Sequence, residues 1–305
     1  MIPHDLLFKQ LLSAFLGEFL ELFVPELWAN LDPSSLHLVE QEAPPASGGL
    51  HMLRGDLLAR ARLRGEEAAF LLHVEHDAYR RREDFDFFRY FMAFRERHRC
   101  RIYPVVLLSY ERPRKPRPGV YAEGFLDLEV LRFRFRVIQL NRLDWRDFLQ
   151  SDNPVAAALM TRMNIAKGDR PLVKAACLRS LIRLPVSEDE LRLLAEFPAT
   201  YLPLDPEEKR VFEGEIQGME PKERVKIMQT ANEWILKGLA QGRADQTRRM
   251  IAKILASRFH EAPEMARLEE ISSPEALDRL ADAALACDSL ASFEEALCRE
   301  LPTAG

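Results

Sequence analysis

At 305 residues, with 47% apolar and 30% charged side chains, the chain is too long for one average domain and comfortable for two. A formal net charge of −5 excludes a surface coated in positive charge, although a local basic patch would still suit nucleic acid. No apolar run approaches the ~20 residues needed to cross a bilayer.

The N-terminus, Met1-Ile2-Pro3-His4-Asp5, lacks the basic-then-apolar pattern of a signal peptide. Cys100, Cys177, Cys287 and Cys298 are too scattered for a zinc site and are expected to be small core hydrophobes in a reducing, cytoplasmic setting. In chain order, Phe8, Leu12, Phe15, Phe19, Leu22 and Phe23 recur at helical spacing and predict one amphipathic helix over 5–31, with Asp5 in its first turn and Pro33-Ser34-Ser35 as its stop. A short strand is expected near 36–42. Ala43-Pro44-Pro45-Ala46-Ser47-Gly48-Gly49 has the composition of a loop. Alternation over 52–64 and 68–77 predicts a β-hairpin. A helix over about 83–99 follows, then strands at 102–108 and 133–140. The order α-β-β-β-α-β-β predicts a mixed sheet flanked by helices. Beyond about residue 150 the strand signals stop: helices are expected at 154–164, 171–183, 187–196, 206–245, 246–258 and 274–298. The expected division is an α/β domain over 1–150, a helical extension over 151–245 and a small helical domain over 246–305.

The hairpin fixes a register. Gly65 suits the first central position of a two-residue type II′ loop, Gly65-Glu66. Facing residues then have numbers summing to 131: Arg62 faces Ala69, Arg60 faces Leu71, Leu58 faces His73 and Asp56 faces Glu75. Asp77 shares the Glu75 face, opposite Arg54, and His73 alternates onto that face while His76 lies on the other. Two carboxylates directly across a ladder repel, and a divalent ion between them relieves the repulsion. Mg²⁺ typically takes one or two carboxylates and completes its shell with water and phosphate oxygens.

Asp56, eighteen residues, then Glu75-His76-Asp77 resembles the PD-(D/E)XK nuclease arrangement. The chain is more closely similar to the recombination-promoting nuclease/putative transposase family. The residues that carry the resemblance are His4-Asp5-Leu6-Leu7-Phe8-Lys9, Phe19-Leu20-Glu21-Leu22-Phe23-Val24-Pro25-Glu26, Val74-Glu75-His76, Tyr103-Pro104 and Gln139-Leu140-Asn141. It covers roughly the first 165 residues. The helix around Trp234 to Arg243 and the stretch Ile254 to Leu297 resemble segments often fused behind such domains. The resemblance implies a restriction-endonuclease-like α/β fold followed by an all-helical C-terminal half, and DNA hydrolysis with Mg²⁺ or Mn²⁺ linked to recombination, transposition or defence. It implies Asp56 and Glu75 as metal carboxylates, the backbone carbonyl of His76 as a further ligand, and Asp77 as a helper. Relatives carry Gln or Lys where Asp77 stands, so Asp77 is a third ligand, a general base, or the mark of a degenerate module that binds DNA or protein without cutting.

From Ala78 to Arg117 there are twelve Lys/Arg against five Asp/Glu. Arg80, Arg81 and Arg82 lie beside the acidic triplet, and Arg114 and Lys115 on a Pro-rich loop. Such clusters suit phosphate-backbone contact; a solvated basic face is the plainer alternative. An ion pair between Asp77 and Arg54, and packed histidines at 73 and 76, are the corresponding structural alternatives for the site. The helical C-terminal half offers a surface for homo-oligomer formation, so an interaction protein is a third possibility.

Overall fold

In a computed structural model of the chain, the described residues are 4–39, 42–43, 53–54, 57–79 and 84–227, and further on 247–248, 250–252, 254–256, 259, 267–268, 271, 273–287 and 289–300. Residues 2–227 form one compact unit and 228–305, with residue 1, a second. The expected boundary near 150 therefore does not separate compact units. The helices from there to residue 227 belong to the same unit as the sheet and pack on its first helices: Asn153 Nδ2 donates to the Glu18 carbonyl at 2.9 Å, and Phe197 packs edge-on against Phe8.

The first unit opens with three helices where one was expected: α1 (His4–Ala14), α2 (Leu16–Phe23) and α3 (Pro25–Asn30). Phe15 (φ −129°, ψ 40°) and Val24 (φ −134°, ψ 53°) leave the helical region. Pro25 explains the second break, because its ring disfavours helical backbone at the preceding residue. Gly17 lets α3 fold back closely: a Cβ there would lie 3.2 Å from the Trp28 ring.

A five-stranded sheet follows, in the order β1-β4-β5-β6-β9. Its strands are β1 (His37–Leu38), β4 (Leu57–Arg62), β5 (Ala69–Asp77), β6 (Arg101–Leu108) and β9 (Arg136–Gln139). β1, β4 and β5 pair antiparallel, whereas β5, β6 and β9 run parallel. The fold is thus mixed α/β. β2 (Glu42–Ala43) and β3 (Leu53–Arg54) form a separate two-stranded ladder. Between β5 and β6 runs α4 (Asp84–His98), as expected. Pro104 is accommodated inside β6 because pairing with β9 begins only at Val105, so Pro104 sits where that side of the strand is still an edge.

The β4–β5 register matches the expected sum of 131 at every described pair, from Leu57↔Val74 to Arg62↔Ala69. The turn does not match. The ladder stops at Arg62↔Ala69, and Gly65 (φ +77°) is the third residue of a turn closed by Glu66 N–H to the Leu63 carbonyl. Residues 62–64 are drawn away by a third segment: Leu63 bridges Leu31, Arg64 N–H donates to Asn30, and Asp32 N–H donates to Arg62.

A hairpin whose turn residues, Leu126-Asp127, include no glycine or asparagine, β7 (Val120–Phe125) and β8 (Leu128–Arg134), interrupts the path from β6 to β9. Leu126 at φ +55° makes its turn. Part of the strand expected at 133–140 therefore belongs to β8.

The helices after β9 are α5 (Pro154–Leu159), α6 (Arg170–Leu181), α7 (Glu188–Tyr201) and α8 (Pro206–Gln217). Side chains of Asn153, Ser187 and Asp205 cap α5, α7 and α8. The helix expected over 206–245 breaks at 218–220, between Gly218 and Pro221, and resumes over 221–227. In the second unit the expected helix 274–298 is two, α9 (Pro274–Ala286) and α10 (Leu290–Glu300). Leu255, Leu277, Leu280 and Phe293 form part of its core. Cys177 is buried, its thiol pushed up to about 12 by burial, but Cys298 is exposed, contrary to expectation. Among the described residues, no helix is long and apolar enough to cross a membrane.

Candidate metal and nucleic-acid site

β5 is the central strand, and its residues from Phe70 to Asp77 are all buried. Strand alternation sends His73, Glu75 and Asp77 to one face and Val74 and His76 to the other. On the first face, His73 Nε2 lies 2.6 Å from Glu75 Oε1, with Glu75 1% exposed. A carboxylate only accepts, so the imidazole donates and fixes the orientation of the Glu75 carboxyl group. The His73 ring is held edge-on by Phe94 of α4 at 4.9 Å between centroids.

Asp77 ends the strand. Its Oδ1 accepts from Tyr79 N–H at 3.1 Å and its Oδ2 from Arg117 at 3.2 Å. Arg117 also binds Asp84 of α4 and lies over the Phe87 ring, 5.0 Å from its centroid. The expected partner of Asp77 was Arg54. Arg54 instead stands opposite Glu42 in the separate ladder, and the counter-charge comes from a loop forty residues downstream.

That loop, 109–119, is fastened by buried amides. Gln139 Nε2 donates to the Lys115 carbonyl and its Oε1 accepts from Arg117 N–H. Asn141 Nδ2 donates to the carbonyls of Tyr110, Glu111 and Pro113. The Gln-Leu-Asn motif thus acts as a clamp for basic residues. At Gly119 a Cβ would meet the Phe135 carbonyl oxygen at 2.2 Å, so only glycine fits where the loop rejoins the sheet. Asp77, Leu108 and Gln139 lie in one row across β5, β6 and β9, at the carboxyl ends of the parallel strands, where open α/β sheets place their ligands.

The opposite face carries a network that sequence patterns did not reveal. His76 stacks on Phe8 at 3.8 Å, and its Nε2 lies 2.7 Å from Ser109 Oγ. Its pKa is lowered to about 3, chiefly by burial, then by His4 and Arg162. Arg162 donates to the Ser109 carbonyl and covers the Tyr201 ring, whose hydroxyl binds His4 Nδ1. Burial and Arg162 lower the His4 pKa against the opposing pull of Asp5. A Ser-His-Asp relay is not formed. Ser109 is fully buried, and the contact from His76 Nδ1 to Asp5 is 3.8 Å, beyond a hydrogen bond.

Of the residues singled out in the sequence, Glu75 and Asp77 share one face, and the His76 side chain is on the other. Arg114 and Lys115 are exposed on the clamped loop. Asp56, Arg80, Arg81 and Arg82 lie outside the described residues, as does the segment Trp234 to Arg243. Among the described residues no group of three or more His, Cys, Asp or Glu converges as a metal cage. The donor chemistry of Glu75 and Asp77 nevertheless fits a hard divalent ion that needs one or two carboxylates. Comparison with protein-family models, with curated proteins and with solved structures finds no match to this chain.

Proposed function

We propose that the chain is a metal-dependent DNA endonuclease with a restriction-endonuclease-like α/β domain, acting in recombination, transposition or defence. One observation carries the reading: two buried carboxylates, Glu75 and Asp77, occupy one face at the carboxyl end of the central strand. Asp56, which the hairpin pairing sum of 131 sets opposite Glu75, and Glu75 would hold Mg²⁺ or Mn²⁺, with the His76 backbone carbonyl as a further ligand. A divalent ion held there would polarise the phosphodiester and acidify the attacking water. His73 orients the Glu75 carboxylate, as outer partners of metal ligands do. Asp77 anchors Arg117, so the loop delivers a positive charge of the kind that a Lys supplies at the Asp77 position in the family the chain resembles. Arg80, Arg81, Arg82, Arg114 and Lys115 contact the DNA backbone.

The test is nicking of supercoiled plasmid with Mg²⁺ or Mn²⁺ by the full chain beside Glu75→Gln and Asp56→Ala. Loss by at least about 100-fold is expected for each, since even outer-partner changes commonly cost 10–100-fold. Equal nicking by the variants would count against the site.

A second reading, a silent module that binds DNA or protein, is favoured by the commitment of Asp77 to Arg117. It predicts no nicking, no thermal stabilisation by Mn²⁺ and no gain from Asp77→Gln.

A further inference from the structure

Beyond the carboxylate face, the first unit contains a pocket of about 370 Å³ whose wall includes Arg112, Arg114, Arg162, Lys167, Arg170 and Tyr201. Five of those six are cations, and Glu111 is the one acid among the lining residues. We infer that this pocket is a binding site for a phosphate group borne by a nucleotide or by a nucleic-acid strand.

The charges divide into two sets. Arg162 is committed to the Ser109 carbonyl and Glu111, and Arg170 to Glu208 and the Pro203 carbonyl. These two build the wall and neutralise the nearest acids. The side chains of Arg112, Arg114 and Lys167 have no ion-pair partner among the described residues. Three cations converging on one concavity repel one another unless an anion joins them, and guanidinium forks match phosphate oxygens in pairs.

The backbone that presents them is already ordered. Asn141 holds the Pro113 carbonyl and Arg142 the Arg114 carbonyl, so little loop ordering opposes binding. Lys167 and Arg170 stand at the start of α6, whose dipole adds positive potential there. Asp169, the acid that would oppose it, is turned away onto Arg146 at 2.6 Å. The volume lies at the small end of ligand pockets, suited to about one nucleotide.

The same loop carries Arg117 to Asp77 and Arg112 and Arg114 to the pocket, but the inference does not require hydrolysis. It is tested with the full-length chain in EDTA, in native and Glu75→Gln forms, so that failure of the nuclease reading leaves it standing. Inorganic phosphate, a nucleoside 5′-monophosphate and a short single strand with or without a 5′-phosphate are compared by thermal shift and calorimetry, with chloride at matched ionic strength. Phosphate-bearing ligands should stabilise the protein, and Arg112→Gln/Arg114→Gln should weaken binding by at least about tenfold. Lys167→Gln should weaken it less. Preference for the monophosphate assigns a free nucleotide; preference for the 5′-phosphorylated strand assigns a nucleic-acid end. Stabilisation by chloride equal to that by phosphate, or unchanged binding by the double variant at native thermal stability, would overturn it.

Discussion

On one face of β5, His73, Glu75 and Asp77 meet α4 and the loop after β6. On the other, one residue out of phase, His76 meets Phe8 of α1 and Ser109, and through Arg162 reaches Tyr201 of α7. Both faces bury polar groups, which is tolerable only when each is paired. They differ in the currency of that pairing. The first face holds the Asp77 carboxylate against the Arg117 guanidinium and Glu75 against the His73 ring. The second holds a neutral imidazole against an aromatic ring and a hydroxyl. The buried carboxylates of β5 thus lie on the first face, while the buried polar group that β5 sends toward α1, His76, is held by packing and a hydroxyl.

The contrast can be broken most forcefully at Phe8. Replacement by Ala removes the ring stacked on His76 and packed against Phe197 and should cost about 3–5 kcal/mol, measured by urea unfolding. A loss below about 1 kcal/mol would mean that the α1 face does not hold the sheet as described.

Arg117 probes the charged face. Arg117→Ala removes the guanidinium from Asp77, whose side chain is 3% exposed, and should cost about 3 kcal/mol. Adding Asp77→Asn should return part of that cost, giving a coupling energy above about 0.5 kcal/mol in a double-mutant cycle. Strict additivity would break the assignment of Arg117 to Asp77.

The smallest effect sharpens the comparison through pH. The folded-state pKa of His76 is lowered to about 3 from 6.5. The folded protein therefore keeps it neutral while the unfolded chain takes up a proton. Its contribution to stability is complete above about pH 6.5 and falls as pH drops toward 3, by at most about 1.4 kcal/mol per pH unit. His4, lowered in the same direction, adds to the slope. In His76→Gln the unfolding free energy between pH 7 and 5 should depend less on pH; an unchanged slope would remove His76 from the α1 face.

Much of this was legible in the alternation of the strand. Leu58↔His73 and Arg60↔Leu71 follow from any turn that keeps the pair sum, so the register survived an incorrect turn at Gly65. The division of His73 and Glu75 from His76 needed only a period of two. What was hidden depends on distant partners. Arg117 reaches Asp77 across forty residues, and Asn30 to Asp32 capture the hairpin end. The β7–β8 turn uses Leu126, a residue type that gives no turn signal. The breaks at Phe15 and Val24 interrupt an apolar periodicity that is otherwise continuous; Pro25 was the visible mark of the second.

Gly119 has a consequence that reaches both ends of its loop. Because a methyl group there would collide with the Phe135 carbonyl, this single hydrogen-for-carbon position sets how closely the segment lies on the sheet. The arginine that answers Asp77 and the two that face the phosphate pocket share that tether. The two basic sites are therefore mechanically ganged: displacing one hinge point would retune both at once.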